Sequence, residues 1–278
     1  MSETRAFEID ARGVRLSGEE AGEGPPVVLL HGLTATRRYV VMGSRTLERS
    51  GYRTIAYDAR GHGRSSPAPN PGAYDYAQLA DDLETVLDEL EVERAVLAGA
   101  SMGAHTALRF ALLHPERVAG VGLVTPAFDP RAHDSTAYNA LAEGLRTEGV
   151  EGFVRAYDFS SVPPAWRETV EKVVRQRLSL HEHPEAVADA MEVMPRSRPF
   201  EDMRELARIA VPTVVVASRD EVDPGHPLAL AEDYARSIPG AKLRVEEGGP
   251  PVRSPIAWQG GQLSKILVEL AEAASFGG

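Results

Sequence analysis

The sequence predicts an α/β fold with a mostly parallel eight-stranded sheet, helices on both faces and an inserted helical cap. Short apolar runs such as 27–30 alternate with segments of helical periodicity along the first part of the chain. The alternation stops at Pro126 and resumes at Val211. Alternating strands and helices form βαβ units, in which a parallel sheet is buried on both faces.

Each element follows from a local pattern. The run 27–30 lies between two prolines and His31-Gly32, and the helix predicted over 75–90 carries apolar residues at a helical spacing. The predicted strands are 5–10, 13–19, 27–30, 53–57, 95–98, 118–124, 211–216 and 242–246. The predicted helices outside the cap are 36–50, 75–90, 102–114, 227–238 and 260–273.

The segment between the sixth and seventh strands contains only helical candidates, at 138–146, 150–157, 166–178 and 184–194. We therefore expect two domains. Residues 1–126 and 211–278 form an α/β core, and residues 127–210 form a cap. A chain of 278 residues accommodates this arrangement, because single α/β domains often reach such lengths.

Composition excludes several classes of function. The net charge of −11 argues against nucleic acids and anionic membranes as partners, because their phosphates would be repelled. The absence of cysteine excludes disulfides, thiolate metal sites and a cysteine nucleophile. The charged residues 1–10 and the lack of a long apolar run predict a cytoplasmic protein without a membrane span. The oligomeric state is left open.

The segment Gly99-Ala100-Ser101-Met102-Gly103 lies between a predicted strand and a predicted helix. This is the G-x-S-x-G pattern in the context that it requires, and it predicts that Ser101 is a nucleophile at the sheet edge. Acyl transfer also needs two donors to a developing oxyanion. We expect these to be the backbone N–H groups of Met102 and of Leu33, which follows the third strand.

Three segments together resemble proteins of the α/β-hydrolase fold, of the lipase, esterase and enol-lactonase kind. They are His31-Gly32, Gly61-His62-Gly63-Arg64-Ser65 and the turn around Ser101. The resemblance covers nearly the whole chain except the insertion, which such proteins use as a lid or cap. It implies a Ser–acid–His triad in that chain order, a small ester-like substrate and no cofactor. The serine at position 101 excludes the aspartate nucleophile of dehalogenases and epoxide hydrolases.

The resemblance places the acid a few residues after the seventh strand, four residues before a proline. Asp220 has that spacing to Pro224 and is the preferred acid. Glu221 and Asp223 are alternatives in the same loop. Asp129, after the sixth strand, is a further candidate.

The resemblance also places the histidine in the loop after the last strand, where this chain departs from the pattern. Residues 246–255 contain no histidine, and none follows His226. His226 is therefore predicted to be the base, since its loop borders the vacant position. Alternatively, His226 caps the helix that begins near Pro227, or a histidine of the cap serves instead.

The other histidines are expected to be structural. His31 and His62 belong to turns, and His105 packs beneath the serine turn. His181 and His183 are expected to be a solvated helix start rather than metal ligands, so no metal site is predicted.

The residues predict a serine hydrolase that cleaves small carboxylic esters or lactones through an acyl-enzyme on Ser101. One alternative is a catalytically degraded protein of the same fold that binds a ligand or a partner. Another is a C–C hydrolase, an acyltransferase or a cofactor-free perhydrolase at the same site, because fold does not choose among these reactions.

Overall fold

The structure, a computed structural model, describes residues 3–131, 136–160, 162–219, 223, 225–246 and 260–276. The strands are β1 (Arg5–Ala11), β2 (Val14–Ala21), β3 (Pro26–Leu30), β4 (Arg53–Tyr57), β5 (Ala95–Ala100), β6 (Val118–Val124), β7 (Thr213–Ala217) and β8 (Lys242–Val245). The α-helices are α1 (Thr46–Arg49), α2 (Tyr76–Glu89), α3 (Met102–Leu113), α4 (Thr136–Ala156), α5 (Arg167–Leu178), α6 (Pro184–Val193), α7 (Leu228–Ser237) and α8 (Gly260–Ala273). Short 3₁₀ helices lie at Arg37–Tyr39, Pro115–Arg117, Pro164–Trp166, Met194–Arg196 and Met203–Arg208.

The strands form one sheet in the order β1-β2-β4-β3-β5-β6-β7-β8. Strand β2 runs antiparallel to its neighbours β1 and β4, and the remaining pairs are parallel. The register pairs Leu30 with Gly99, and Val124 with both Ala100 and Val216. The carboxyl ends of β3, β5, β6 and β7 therefore meet at one edge, where the segments that carry the predicted site begin.

Both faces of the sheet are covered, as the apolar strands require. Val28 and Leu30 of β3 face the layer of α2, α3 and α7. Val27 and Leu29 alternate to the opposite face, where α1 and α8 pack. Two apolar layers thus cover the sheet from both sides, and the edge at the carboxyl ends of the strands is left for the loops.

Between β6 and β7, the described residues form helices and no strand. Helix α4 is interrupted at Gly149 (φ 64°, ψ −147°), so its two halves correspond to the separate helices predicted at 138–146 and 150–157. The helices of the insertion share an apolar cluster, and Leu33 also packs against it. A second apolar cluster contains residues of the insertion together with Met102. The helical insertion therefore packs against the sheet edge that carries Ser101. None of the described helices is long and apolar enough to cross a membrane.

The helix predicted over 36–50 is not continuous. The structure has a 3₁₀ turn at Arg37–Tyr39 and only one α-helical turn, α1. Met42 (φ 51°) and Gly43 (φ 73°) have left-handed backbone conformations that interrupt a helix between them. The Asp58 carboxylate also accepts a hydrogen bond from the backbone N–H of Arg37 at 2.8 Å, which fixes the chain in a turn.

Candidate active site

The turn that carries Ser101 is sharp and strained. Ser101 lies between β5 and α3 with φ 49° and ψ −111°, and its N–H donates to the carbonyl of Val124 at 2.9 Å. A Cβ atom at Gly103 would collide with the carbonyl of Leu30, and one at Gly99 would collide with the backbone of Gly103. The glycines therefore let neighbouring backbones approach closely enough to hold this conformation.

His226 contacts the serine directly. Its Nε2 lies 3.0 Å from the Ser101 Oγ, and its Nδ1 lies 2.9 Å from both carboxylate oxygens of Asp223. The Nδ1–H donates a hydrogen bond to the Asp223 carboxylate, so Nε2 is left with the lone pair that can accept a hydrogen bond from the serine O–H. The His226 and Asp223 side chains are 25% and 27% exposed, which leaves the contact accessible from solvent.

The carboxylate that contacts His226 is that of Asp223, which the sequence offered only as an alternative. Asp220, the preferred acid, and Glu221 both lie outside the described residues. Asp129 forms an ion pair with Arg131 at 2.8 Å, and that hydrogen bond lowers the pKa of the Asp129 carboxyl. The Asp129 carboxylate is therefore already paired with Arg131, a cation of its own loop.

The two predicted oxyanion donors lie beside the serine. Met102 is the first residue of α3, and the first N–H groups of a helix have no intrahelical partner. Leu33 follows β3 in the loop whose Gly32 approaches the turn, since a Cβ on Gly32 would lie 3.5 Å from the Ser101 Cβ. The assignment of both amides to an oxyanion remains a prediction.

His105 lies one helical turn beyond Ser101 and is buried. Its Nε2 accepts hydrogen bonds from the backbone N–H groups of Ala127 and Phe128, both at 3.0 Å, so its Nδ1 donates to the Tyr76 hydroxyl at 3.0 Å. Burial lowers the pKa of His105 to about 3. Its lone pair is already used, and the residue has a structural function.

A second group of histidines lies between the insertion and the turn after β4. The ring centroids of His31 and His62 are 5.1 Å apart, and those of His62 and His181 are 5.6 Å apart. His181 is buried rather than solvated as the sequence analysis expected, because the insertion folds back onto the sheet domain. Its Nδ1 accepts the N–H of Gly63 at 2.8 Å, and burial lowers the pKa of His181 to about 4.

Sequence reasoning did not single out Arg177. Burial lowers the pKa of its guanidinium, and Tyr157, Tyr39 and Asp223 oppose this effect. A signal was available, because Arg177 follows the buried residue Val174 by three positions, a spacing that places both on one helix face. An arginine at such a position departs from the usual apolar stripe of an amphipathic helix.

A family model described as alpha/beta hydrolase fold matches residues 25–159. The RutD protein of Variovorax paradoxus (strain S110) is 31% identical over 200 residues, which cover 72% of this chain and 75% of that protein. A thermophilic esterase from Thermogutta terrifontis is 25% identical, with a TM-score of 0.76 over 98% of this chain and 100% of that one. The enol-lactonase from Burkholderia xenovorans LB400, at 24% identity, shares the fold with a TM-score of 0.72 over 97% and 96% of the two chains. With its eight-stranded sheet and the serine turn at the sheet edge, the chain therefore belongs to the α/β-hydrolase fold family.

Proposed function

We propose that this protein is a serine hydrolase that cleaves small carboxylic esters or lactones through an acyl-enzyme on Ser101. The observation that carries the proposal is the contact of Ser101 Oγ with His226 Nε2 at 3.0 Å, with Asp223 at the other ring nitrogen. Similarity to a solved esterase at 25% identity supports the same class of substrate.

In the first half of the reaction, His226 Nε2 takes the proton of Ser101 as Oγ bonds to the acyl carbon. The carbonyl oxygen becomes an oxyanion that accepts hydrogen bonds from the N–H groups of Leu33 and Met102. Collapse of this intermediate breaks the bond to the alcohol oxygen, which receives the proton from His226. The products are the acyl-enzyme and an alcohol, which remains attached to the acyl group when the substrate is a lactone.

In the second half, His226 takes a proton from water as the water oxygen bonds to the acyl carbon. Collapse breaks the bond to Ser101 Oγ, which recovers the proton, and the carboxylic acid is released. Asp223 accepts a hydrogen bond from the Nδ1–H throughout and does not take its proton, so the carboxylate fixes the tautomer and orientation of the ring and stabilises its cation.

In this proposal, residues 127–210 act as the cap. Support comes from Leu33, Tyr157 and Phe159, which all pack against the buried apolar cluster of the insertion. Aromatic side chains at this position suit an apolar pocket of limited size, which favours small substrates.

The rival proposal is a ligand-binding protein on the same scaffold, and its support is the missing histidine after β8. The contact between His226 and Ser101 favours catalysis over this alternative, since a histidine from a neighbouring loop supplies the same chemistry. A triad is defined by geometry and function, and its members occur in different chain orders.

A fluorophosphonate probe tests the proposal, because it labels only an activated serine. We expect stoichiometric labelling of Ser101, and Ser101→Ala should lower the turnover of para-nitrophenyl acetate by at least ~10³. Circular dichroism should show an unchanged fold, and Ser179→Ala, an exposed serine at the end of α5, is the matched control. A wild-type protein that takes up no label favours the binding protein instead.

A further inference from the structure

Arg177 of α5 is a cation for which the described residues provide no partner. In the described part of the chain its side chain forms no ion pair or hydrogen bond, and its Nε is buried. Its neighbour Arg175 on the same helix binds Glu151 at 2.9 Å and Glu171 at 2.6 Å. Placing a charged group away from water without a partner costs free energy, so such a group calls for an explanation.

Arg177 belongs to a part of α5 that lies near the candidate active site. Val174, three residues before Arg177 on the same helix face, is buried in the cluster against which Leu33 packs. Just after α5, the His181 Nε2 donates to the carbonyl of Thr34 at 3.1 Å. This part of α5 therefore lies against the loop that carries the proposed oxyanion donor.

The groups that act on the charge of Arg177 belong to the same region. Burial lowers the pKa of its guanidinium, and Tyr157, Tyr39 and Asp223 act in the opposite direction. Tyr39 follows the loop after β3, Tyr157 belongs to the insertion, and Asp223 contacts His226. The unpaired cation is therefore within electrostatic reach of the proposed triad.

We propose that Arg177 binds a carboxylate of the substrate, so the site accepts an ester or lactone that carries a second, anionic carboxyl group. This inference rests on the proposed hydrolase function. The planar guanidinium binds a carboxylate through two parallel N–H···O hydrogen bonds, which gives both affinity and orientation. A cation is needed for this purpose, because the chain as a whole has a net charge of −11 and repels anions.

An alternative function of Arg177 is to balance the negative charge of Asp223. Removal of the guanidinium would then change the triad itself, and all esters would be affected equally. Binding of a substrate carboxylate affects only esters that carry one. The ratio of two specificity constants therefore separates the two functions.

The experiment compares the mono-para-nitrophenyl ester of adipate with para-nitrophenyl hexanoate, a neutral ester of the same chain length. The wild-type kcat/KM should favour the adipate ester, and Arg177→Gln should lower the ratio of the two constants by about 10- to 100-fold. Arg175→Gln, which removes an equal charge from the same helix, should leave the ratio unchanged. Arg177→Lys should restore part of the preference, because it keeps the charge without the planar fork.

An unchanged ratio in Arg177→Gln, with both esters slowed equally or not at all, overturns the inference. If wild type hydrolyses neither ester, the proposed function fails, and calorimetric binding of adipate decides the inference alone. Adipate binding that Arg177→Gln abolishes supports the anion site, and no binding of adipate to wild type rejects it. Since Arg177 has no hydrogen-bond or ion-pair partner among the described residues, its substitution leaves none of them unpaired, and the variant should fold.

Discussion

Two histidines lie next to Ser101, and they differ in every property that matters for catalysis. His105, on α3, is buried and its Nε2 accepts two backbone hydrogen bonds. His226, in the loop after β7, is partly exposed and its Nε2 contacts the serine hydroxyl. Nearness to the nucleophile therefore does not make a histidine a base. A histidine needs a lone pair that is free to accept the proton.

The segments that carry these histidines differ in the same way. The backbone around Ser101 and α3 is fixed by contacts in which glycine is required. The loop around His226 is held by local hydrogen bonds, from His226 N to Asp223 O at 3.1 Å and from Asp223 N to Arg219 O at 3.0 Å. Close backbone packing holds the first region, whereas local hydrogen bonds hold the described residues of the second.

The largest expected effect separates the two histidines. His226→Ala should lower the turnover of para-nitrophenyl acetate by ~10²–10⁴, the usual contribution of a general base, with little change in unfolding free energy. His105→Ala should instead cost about 2–4 kcal/mol of unfolding free energy, because buried N–H groups lose their acceptor and a cavity remains. Ester kinetics and urea unfolding measure both variants. Equal behaviour of the two variants in both assays would contradict the comparison.

The next effect concerns the acid. Asp223→Ala should lower turnover, but its loss should be roughly 10- to 100-fold smaller than the loss in His226→Ala. Removal of the acid from a serine triad costs less activity than removal of the base. Asp220→Ala is the matched control in the same loop and should change turnover only slightly. The same ester assay measures both variants. A larger loss from Asp220→Ala would transfer the function of the acid to that residue.

A smaller effect compares the stability cost of an added methyl group at Gly103, in the packed serine turn, and at Gly225, in the loop of His226. Gly103→Ala should lower the free energy of unfolding by about 1–3 kcal/mol, because the added methyl group overlaps the carbonyl of Leu30. Gly225→Ala should have almost no effect, since its Cβ would lie 3.7 Å from the nearest atom, an Asp223 carboxylate oxygen. Urea denaturation compares the pair. Similar losses in both would show that the turn is less tightly packed than the structure indicates.

The smallest effect is a dependence of stability on pH. Burial lowers the pKa of His105 to about 3 and that of His181 to about 4, below the value of about 6.5 in an unfolded chain. The unfolded state therefore binds more protons as the pH falls, so stability is complete above pH ~6.5 and is lost progressively below it. Between pH 7.5 and pH 5.5, each of these histidines should cost about 1 kcal/mol.

Unfolding free energies measured across that range check this prediction. The window lies above the range in which ordinary carboxyl groups titrate. His181→Asn should reduce the loss of unfolding free energy on acidification by about 1 kcal/mol. His226→Ala, which removes a partly exposed ring, is the comparison variant. Stability that does not vary with pH in the wild type would show that these rings are protonated in the folded state.

Much of the fold could be predicted because its signals are local. Apolar runs and helical spacing placed β3, β5 and α2 close to their observed ranges. The predicted helix over 36–50 failed because the backbone at Met42 and Gly43 and the acceptor on Asp58 break it. Asp58 is distant in sequence, and no periodicity within 36–50 reveals such a partner.

The sequence by itself determined the serine turn, because glycines at positions 99 and 103 between a strand and a helix suffice for its geometry. It also directed attention to His226, since no later histidine exists. The folded chain was needed to show that Asp223 contacts that ring, that His181 is buried and that Arg177 has no partner among the described residues. The physical reason is that a side chain's protonation and partners depend on groups from other elements, which become neighbours only when the sheet edge and the insertion meet.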